Sequence, residues 1–283
     1  MIKNKVAVAI PASVVSDTPH LREKTSKVGL IGRAAAIFRV NEIVVYTDDP
    51  KVNQGADVDL IATLLEYMET PQYLRKRLFK IEPRLQYAGI LPPLRTPHHP
   101  LNRKAENLKV GEYREGVVLS ENKEGLLVDI GVEQPALLRE KQFDVGKRVT
   151  LQIVKAGEQI EAQVVSREVP SYWGYMVTVE KHSLKRLIET RKFDLTIGTS
   201  VKGAKWTDVV GELAGKWKKA NSVLIAFGAP TRGLHEIAKD EGTNLDALMD
   251  FVVNTILAQG TETVRTEEAL LATLAILNVQ LGF

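Results

Sequence analysis

The sequence of 283 residues contains no cysteine. Disulfide bonds, iron–sulfur clusters, thiolate catalysis and cysteine-ligated zinc are therefore excluded. There are only five histidines, and no two of them stand three or four residues apart, the spacing that places two metal ligands on one face of a helix. We therefore expect no structural or catalytic metal.

Long apolar runs are absent as well. No segment approaches the roughly 20 apolar residues that a membrane-spanning helix needs. The apolar run near Met1 is too short for a signal peptide. We therefore expect a cytoplasmic protein.

Charge of one sign is not in large excess, since the formal net charge is only +3. Between residues 71 and 110, however, nine lysines or arginines stand against two acidic residues. Such a run is often a solvated face, but it also suits a groove that follows RNA phosphates. Aromatic residues for base stacking are few, so we expect recognition of RNA backbone and shape.

Buried strands alternate with helices at the start of the chain. Residues 6–10 and 42–46 are apolar strand patterns on either side of an alanine-rich helical pattern at 29–40, which predicts a βαβ unit. Residues 13–27 then read as a solvated loop at the carboxyl end of the first strand, where a substrate would approach. Six of the twelve prolines fall between 71 and 100 and indicate a linker.

The pattern changes after this linker. Short strand-like runs separated by glycine or charged turns occupy residues 113–120, 125–131, 148–154 and 160–165. Short strands of this kind within roughly 75 residues predict a small barrel like those that bind oligonucleotides. Beyond residue 170 the alternation of strands and helices returns, so the sequence predicts an interrupted α/β domain with a β insertion.

Two polar loops in the C-terminal part indicate a ligand site. One follows an apolar strand at 223–227, and the other, Gln259 to Arg265, precedes a helix with Thr266 as its predicted N-cap. Taken alone, the loop 228–233 is a tight turn; two such loops after neighbouring strands favour a ligand. Neither matches a nucleotide phosphate motif, and Glu267 and Glu268 would repel a phosphate at the helix start. The implied ligand is a nucleoside without a polyphosphate.

Three C-terminal motifs and one N-terminal run carry a resemblance to a known family. The motifs are residues 195–203, residues 227–233 (Phe-Gly-Ala-Pro-Thr-Arg-Gly) and residues 254–265; the run is residues 29–39, which contains Gly-x-x-Gly-Arg. Together they resemble the SPOUT class of S-adenosylmethionine-dependent RNA methyltransferases, in the archaeal and eukaryotic branch with an inserted β-rich domain. The resemblance implies a knotted α/β methyltransferase domain at 1–92 and 169–283 and an RNA-binding barrel at 93–168.

The resemblance also implies a set of cofactor-binding residues. They are Thr199, Ser200, Gly203, Gly228, Pro230, Asn254, Ile256, Gln259, Gly260 and Thr261. Neutral amides, hydroxyls and carbonyls suit the sulfonium cation of S-adenosylmethionine. Lys202 and Leu257 depart from the family pattern, where an acidic residue and a proline are expected.

Catalytic and RNA-binding roles follow from the same resemblance. Arg33 matches the family arginine, although a paired helix arginine is an equal alternative. For a uridine acceptor, Arg33 or Arg265 would stabilise the anion and Glu262 or Asp17 would take the proton. The basic residues expected to contact RNA are Arg22, Lys24, Lys27, Arg75, Arg77, Arg84, Arg95, Arg103 and Lys104.

The leading functional hypothesis is a homodimeric methyltransferase that modifies a nucleoside, uridine by the resemblance, in structured ribosomal RNA. The apolar helix at 269–277 is expected to contribute to the dimer interface. A rival is a non-catalytic RNA-binding or ribosome-assembly factor, for which Lys202 and Leu257 are the hints. A third hypothesis, an enzyme acting on a free nucleoside, is disfavoured by the basic segment.

Overall fold

The computed structural model describes residues 4–169 and 171–282. The chain forms two compact units. The first comprises the residues up to Met68, Pro83–Pro93 and the residues from Tyr175 onward; the second comprises Glu69–Glu82 and Leu94–Gly174. The limits 1–92, 93–168 and 169–283 stay a prediction of the domain boundaries.

Parallel strands form the sheet of the first unit. They are β1 (Lys5–Pro11), β2 (Glu42–Tyr46), β8 (Met176–Glu180), β9 (Leu195–Lys205), β10 (Ser222–Ala226) and β11 (Phe251–Asn254). The strand order is β11-β9-β10-β1-β2-β8, and every neighbouring pair is parallel. The βαβ unit predicted around β1 and β2 is confirmed by their direct pairing.

Helices accompany this sheet. They are α1 (Leu21–Ile37), α2 (Gly55–Glu69), α4 (Leu184–Arg191), α5 (Trp206–Trp217), α6 (Leu234–Asp240), α7 (Leu245–Leu248) and α8 (Thr266–Leu281). Alternate residues of β1 point to opposite faces of the sheet, and both sets are buried. On one face Ala7 and Ala9 join a core with Leu187 and Ile237. Burial on both faces explains why the strands are almost continuously apolar.

Two element boundaries differ from the sequence prediction. Helix α1 begins at Leu21, eight residues before the predicted start at Gly29, so the N-terminal loop ends at His20. The residues 21–27 are mostly long and polar, a composition that reads as a loop although arginine, glutamate and lysine are good helix formers. The alternation of strands and helices expected beyond residue 170 begins late, since β8 starts only at Met176, after the buried Trp173 and Tyr175.

The second unit contains helix α3 (Gln72–Leu78) and a closed barrel. The barrel strands are β3 (Tyr113–Glu121), β4 (Leu126–Asp129), β5 (Ala136–Leu138), β6 (Arg148–Lys155) and β7 (Glu161–Val164), in the order β3-β4-β5-β7-β6. Leu126, Val128, Leu138 and Leu151 fill its interior. The predicted fold class, a parallel sheet flanked by helices with a small barrel, is confirmed.

A buried ion-pair network lies beside the barrel within this unit. The carboxylate of Glu69 contacts the guanidinium groups of Arg148 and Arg167, and His98 Nε2 lies 3.1 Å from Glu69 Oε1. Arg148 Nε also donates to Glu115 at 2.5 Å. Burial alone would raise the pKa of Glu69, but His98 and the two arginines hold that pKa well below its usual range. The network ties segments distant in sequence to β3 and β6.

His99 makes this unit sensitive to acid. Burial and the neighbouring His98 lower the pKa of His99 from 6.5 to about 3. Below pH 6.5, His99 therefore binds a proton in the unfolded chain but not in the folded unit. The free energy of unfolding that is present above pH 6.5 is lost as the pH falls towards 3. Between pH 6.5 and 4.5, before Glu69 contributes, we expect a loss of about 2 kcal/mol.

Urea unfolding at pH 7 and pH 5 tests this expectation. The variant His99→Gln keeps a donor for the Glu69 carbonyl, which lies 2.8 Å from His99 Nε2. The variant should lose less free energy of unfolding between the two pH values than the wild type. Equal losses would show that His99 does not resist protonation.

Candidate cofactor and RNA site

Two of the three predicted cofactor loops follow β10 and β11, and the third lies within β9. Because these strands are parallel, their carboxyl ends meet at one edge of the sheet, which is where open α/β sheets bind ligands. The loops after β10 and β11 were expected to follow adjacent strands, and that expectation is wrong. Strand β9 lies between them and supplies the third loop.

The loop of β9 is a bulge within the strand. Val252 of β11 pairs with Gly198 and Val253 pairs with Ala204, so residues 199–203 loop out between two paired positions. A Cβ on Gly203 would lie 2.7 Å from the Val252 carbonyl oxygen, so glycine permits this close approach. Thr199 Oγ1 donates to the Ala226 carbonyl at 3.1 Å and thereby fastens the bulge to the end of β10.

Asn254 joins the bulge to the loop after β11. Its Nδ2 donates to the Val201 carbonyl at 3.1 Å, and its Oδ1 accepts from the Ile256 amide at 3.0 Å. Further along, Gln259 Nε2 donates to the carbonyls of Thr261 at 3.0 Å and Glu262 at 3.1 Å. The loop after β11 is thus folded by its own amide side chains.

The loop after β10 is held by the start of α8. Thr266 Oγ1 donates to the Gly228 carbonyl at 2.8 Å. The predicted N-cap at Thr266 is therefore wrong: Arg265 precedes the helix, and its amide donates to Glu268 Oε2 at 2.9 Å. Gly228 also permits tight packing, since a Cβ there would lie 3.0 Å from the Leu234 amide nitrogen. Hydrogen bonds thus connect each loop to at least one neighbouring element at this edge.

The chemistry of these loops fits S-adenosylmethionine. The polar groups of the residues predicted to bind the cofactor are hydroxyls, amides and main-chain carbonyls, and Thr199, Asn254 and Gln259 are oriented by hydrogen bonds. The closest charged side chain along the bulge, Lys202, is exposed to solvent. A neutral, oxygen-rich set of groups suits a ligand that carries a sulfonium cation. Pro230, Gly260 and Ile256 lie in the same loops and complete the predicted set.

Arg33 lies on α1 and contacts the main chain of Pro93. It lies twelve residues after Leu21, about 18 Å along α1 from the helix start that faces the loop edge. Its Nη1 donates to the Pro93 carbonyl at 3.0 Å. A Cβ on Gly29 would lie 2.9 Å from Pro92 Cδ, so the Gly-x-x-Gly-Arg motif packs the segment 91–93 on α1. This contact gives Arg33 a positioning role, while its catalytic role stays a prediction.

The remaining catalytic candidates lie near the loops. Glu262 and Arg265 are exposed in the segment before α8. Asp17 Oδ1 accepts a 2.6 Å hydrogen bond from Lys27 Nζ. Burial acts to raise the pKa of Asp17, but the hydrogen bonds from Lys27 and Thr18 outweigh it and lower the pKa. The lowered pKa makes the Asp17 carboxylate a weaker base than an ordinary aspartate.

Lys27 and Glu267 form a buried pair that the sequence did not reveal. Lys27 was expected to contact RNA, but its side chain is 6% exposed and is engaged by Asp17 and by Glu267 Oε2 at 3.8 Å. This geometry favours a structural role instead. Glu267 was expected at the helix start as a charge that repels phosphate, yet it is 7% exposed and burial raises its pKa. The pair connects α1 to the first turn of α8.

A second cluster at the same edge was also missed. Ser13 Oγ donates to Asp48 Oδ2 at 2.6 Å, and Asp48 is fully buried. Arg232 Nη1 lies 3.1 Å from Asp49 Oδ2 and 3.8 Å from Asp48 Oδ2. The cluster links the segments after β1, β2 and β10. The only signal in the sequence was an acidic pair at the end of an apolar strand.

Some of the other residues predicted to contact RNA form ion pairs or hydrogen bonds within the protein, and others do not. Lys24 pairs with Asp57 at 2.9 Å, Arg77 with Asp129 at 2.6 Å and Lys104 with Glu106 at 3.4 Å. Arg75 and Arg84 donate to the main-chain carbonyls of Thr70 and Asp59. Arg22, Arg95 and Arg103 are exposed, and within residues 4–169 and 171–282 they form no hydrogen bond or ion pair through their side chains. The guanidinium groups of these three arginines are therefore available to bind RNA phosphates.

Two features are absent from the described part of the chain. No helix there is long and apolar enough to span a membrane. No group of three histidine, cysteine, aspartate or glutamate side chains there is arranged to hold a metal ion.

Comparison with known proteins places the chain in a family. A 28S rRNA (uridine-N(3))-methyltransferase of Drosophila melanogaster is 34% identical over 313 residues, covering 98% of this chain, which spans 62% of that protein. The mouse protein of the same name is 35% identical over 305 residues, covering 96% of this chain and 75% of its own length. An uncharacterized protein of Halobacterium salinarum is 33% identical over 290 residues, which cover 96% of this chain and 98% of that protein.

A family model described as "Putative RNA methyltransferase" matches residues 5–277. The match spans both compact units, barrel included. It confirms the resemblance to RNA methyltransferases, whereas the SPOUT assignment and the knot stay predictions. The chain belongs to this RNA methyltransferase family.

Proposed function

We propose that the chain transfers the methyl group of S-adenosylmethionine to N3 of a uridine in ribosomal RNA. The match of the RNA methyltransferase family model to residues 5–277 carries this proposal. The choice of uridine as the acceptor, and of its N3 atom, follows the names of the Drosophila and mouse relatives.

The loop edge of the first unit supports methyl transfer. Hydrogen bonds from Thr199, Asn254 and Thr266 hold the loops in place. Transfer is an in-line attack of the uridine nitrogen on the methyl carbon, so acceleration comes mainly from aligning the nucleophile with the sulfonium. Loops that need little rearrangement are suited to that task.

The acceptor nitrogen must lose a proton during the reaction. Glu262 is exposed beside the loop after β11, and Arg265 lies three residues further along. We assign Glu262 to accept the N3 proton and Arg265 to stabilise the negative charge on the uracil oxygens. Arg22, Arg95 and Arg103 would contact RNA phosphates.

We also propose that the chain acts as a homodimer, in the cytoplasm. Helices α1 and α8 pack against each other, and both carry exposed apolar side chains. Leu30 and Ile37 of α1 are 53% and 50% exposed, and Val279 of α8 is 77% exposed. Covering these side chains with a second copy would bury apolar surface. Light scattering at micromolar concentration should give twice the chain mass; the mass of one chain would contradict the dimer.

Calorimetric titration with S-adenosylmethionine, with ATP as the control ligand, tests the cofactor. We expect micromolar binding of S-adenosylmethionine and no binding of ATP, because the loops offer no phosphate-binding motif. The variant Asn254→Ala should bind at least about tenfold more weakly, since it releases two loops at once. Absence of binding to the folded wild type would favour a non-catalytic RNA-binding factor.

A further inference from the structure

The first unit contains a cleft apart from the three cofactor loops. It lies between the start of α1 and the segment 86–90 and has a volume of about 630 Å³, within the range of small-ligand sites. The side chains that decide its chemistry are His20, Arg22, Glu23, Gln86, Tyr87 and Ile90.

The polar groups of the cleft are not used by the protein. Within residues 4–169 and 171–282, the side chains of His20, Arg22, Gln86 and Tyr87 form no hydrogen bond or ion pair. Nearby Lys24, on the same helix, is instead engaged by Asp57 at 2.9 Å. Several unpaired groups that converge on one concavity indicate a ligand more strongly than isolated surface residues do.

The groups match the parts of one unpaired nucleotide. The Tyr87 ring offers a stacking surface, the Gln86 amide can donate to and accept from a base edge, and the Arg22 guanidinium can bind a phosphate. Glu23 adds a negative charge beside Arg22, which disfavours a closely spaced series of phosphates. The cleft therefore suits a single extruded nucleotide better than a duplex backbone.

The cleft is held close to the cofactor loops. Ser26 lines the cleft, and the next residue, Lys27, reaches Glu267 from an adjoining face of α1. Thr266, adjacent to Glu267, bonds to Gly228 of the loop after β10. The cleft and that loop are thus linked through neighbouring residues of α1 and α8, which favours binding of consecutive nucleotides of one RNA strand.

By contrast, a smaller cleft on the barrel does not suit RNA phosphate. It has a volume of about 290 Å³ and is lined by Glu124 and Glu158 with no lysine or arginine. The acidic lining would repel a nucleic-acid backbone.

We propose that the cleft between α1 and residues 86–90 binds an unpaired RNA nucleotide next to the one that is methylated. This proposal rests on the proposed function for the identity of the RNA. The base stacks on Tyr87 and pairs its edge with Gln86, while Arg22 binds its phosphate. Arg33, through Pro93, holds the segment that carries Gln86 and Tyr87 against α1.

Fluorescence anisotropy with a labelled single-stranded 12-nucleotide oligouridine tests the cleft. Tyr87→Ala should weaken binding at least about fivefold, because base stacking is lost. Tyr87→Phe should bind like the wild type, since it keeps the ring. Gln86→Ala, an exposed position where folding is not at stake, should weaken binding about two- to fivefold. In all three variants, the affinity for S-adenosylmethionine measured by calorimetry should be unchanged.

Arg22→Gln should also weaken oligouridine binding. Its matched control is Arg186→Gln, which removes an exposed arginine from α4 and should leave binding unchanged. Photocrosslinking with 5-iodouridine in the oligonucleotide should label Tyr87. Wild-type affinity in Tyr87→Ala, Gln86→Ala and Arg22→Gln would overturn the proposal.

Transfer to unmodified large-subunit ribosomal RNA separates this proposal from the proposed function. Transfer by the wild type with an unchanged KM for RNA in Tyr87→Ala and Arg22→Gln would overturn the cleft and leave the methyltransferase intact. Loss of oligouridine binding in these variants, with no transfer by the wild type, would support the cleft and contradict the proposed function.

Discussion

Gly203→Ala should weaken the binding of S-adenosylmethionine by at least about tenfold. The added Cβ would lie 2.7 Å from the Val252 carbonyl oxygen and 2.8 Å from the Val253 carbonyl carbon. Both atoms are main-chain atoms of β11, so they cannot move aside as a flexible side chain would. The bulge 199–203 must shift, and the Asn254 contact to Val201 must shift with it. Overpacking of this kind costs about 1–3 kcal/mol.

Calorimetry measures the affinity, and circular dichroism confirms that the variant is folded. Gly211→Ala is the matched control, because a Cβ on Gly211 in α5 meets nothing within 4 Å. That variant should keep wild-type affinity and gain a little stability, since alanine is the better helix former. Wild-type affinity in Gly203→Ala would mean that the bulge does not contact the cofactor.

Lys27→Met should lower the free energy of unfolding by about 3 kcal/mol at pH 8. Breaking a buried ion pair costs about 3–5 kcal/mol because one charge is left without its partner. Here Glu267 can take up a proton, which reduces the cost. Since burial already raises the pKa of Glu267, and loss of Lys27 raises it further, the destabilisation should grow as the pH rises from 5 to 8.

Urea unfolding at both pH values measures this effect, and two further variants identify its cause. The double variant Lys27→Met with Glu267→Gln removes the remaining buried charge and should recover part of the loss. Lys24→Met breaks the more exposed pair with Asp57 on the same helix and should cost at most about 1 kcal/mol. Equal losses for Lys24→Met and Lys27→Met would contradict the buried pair.

The strands of the sheet could be predicted from the sequence, but their order could not. Strands such as β10 are short apolar runs that end at glycine or polar residues, and this local pattern is visible in one sequence. The position of β9 between β10 and β11 depends on pairing between segments distant in the chain. The family resemblance pointed to the loop at 199–203, but its form as a bulge depends on pairing with the distant β11 and was not predicted.

The individual roles of site residues were harder to predict than the site itself. Threonine is a residue type that commonly caps helices, yet the hydroxyl of Thr266 donates to the carbonyl of Gly228, in a loop 38 residues away in sequence. Lys27 lies among polar neighbours that suggest solvent, yet the packing of α8 on α1 buries it. In both cases a tertiary contact overrides a local preference, and one sequence contains no direct record of that contact.

Transfer of a labelled methyl group from S-adenosylmethionine to unmodified large-subunit ribosomal RNA tests the central claim most directly. Nucleoside mass spectrometry of the product identifies the modified atom. The account predicts label in 3-methyluridine at one position, and loss of that label in Gly203→Ala but not in Gly211→Ala. Folded wild-type protein that leaves the RNA unlabelled, or that labels a different nucleoside, would contradict it.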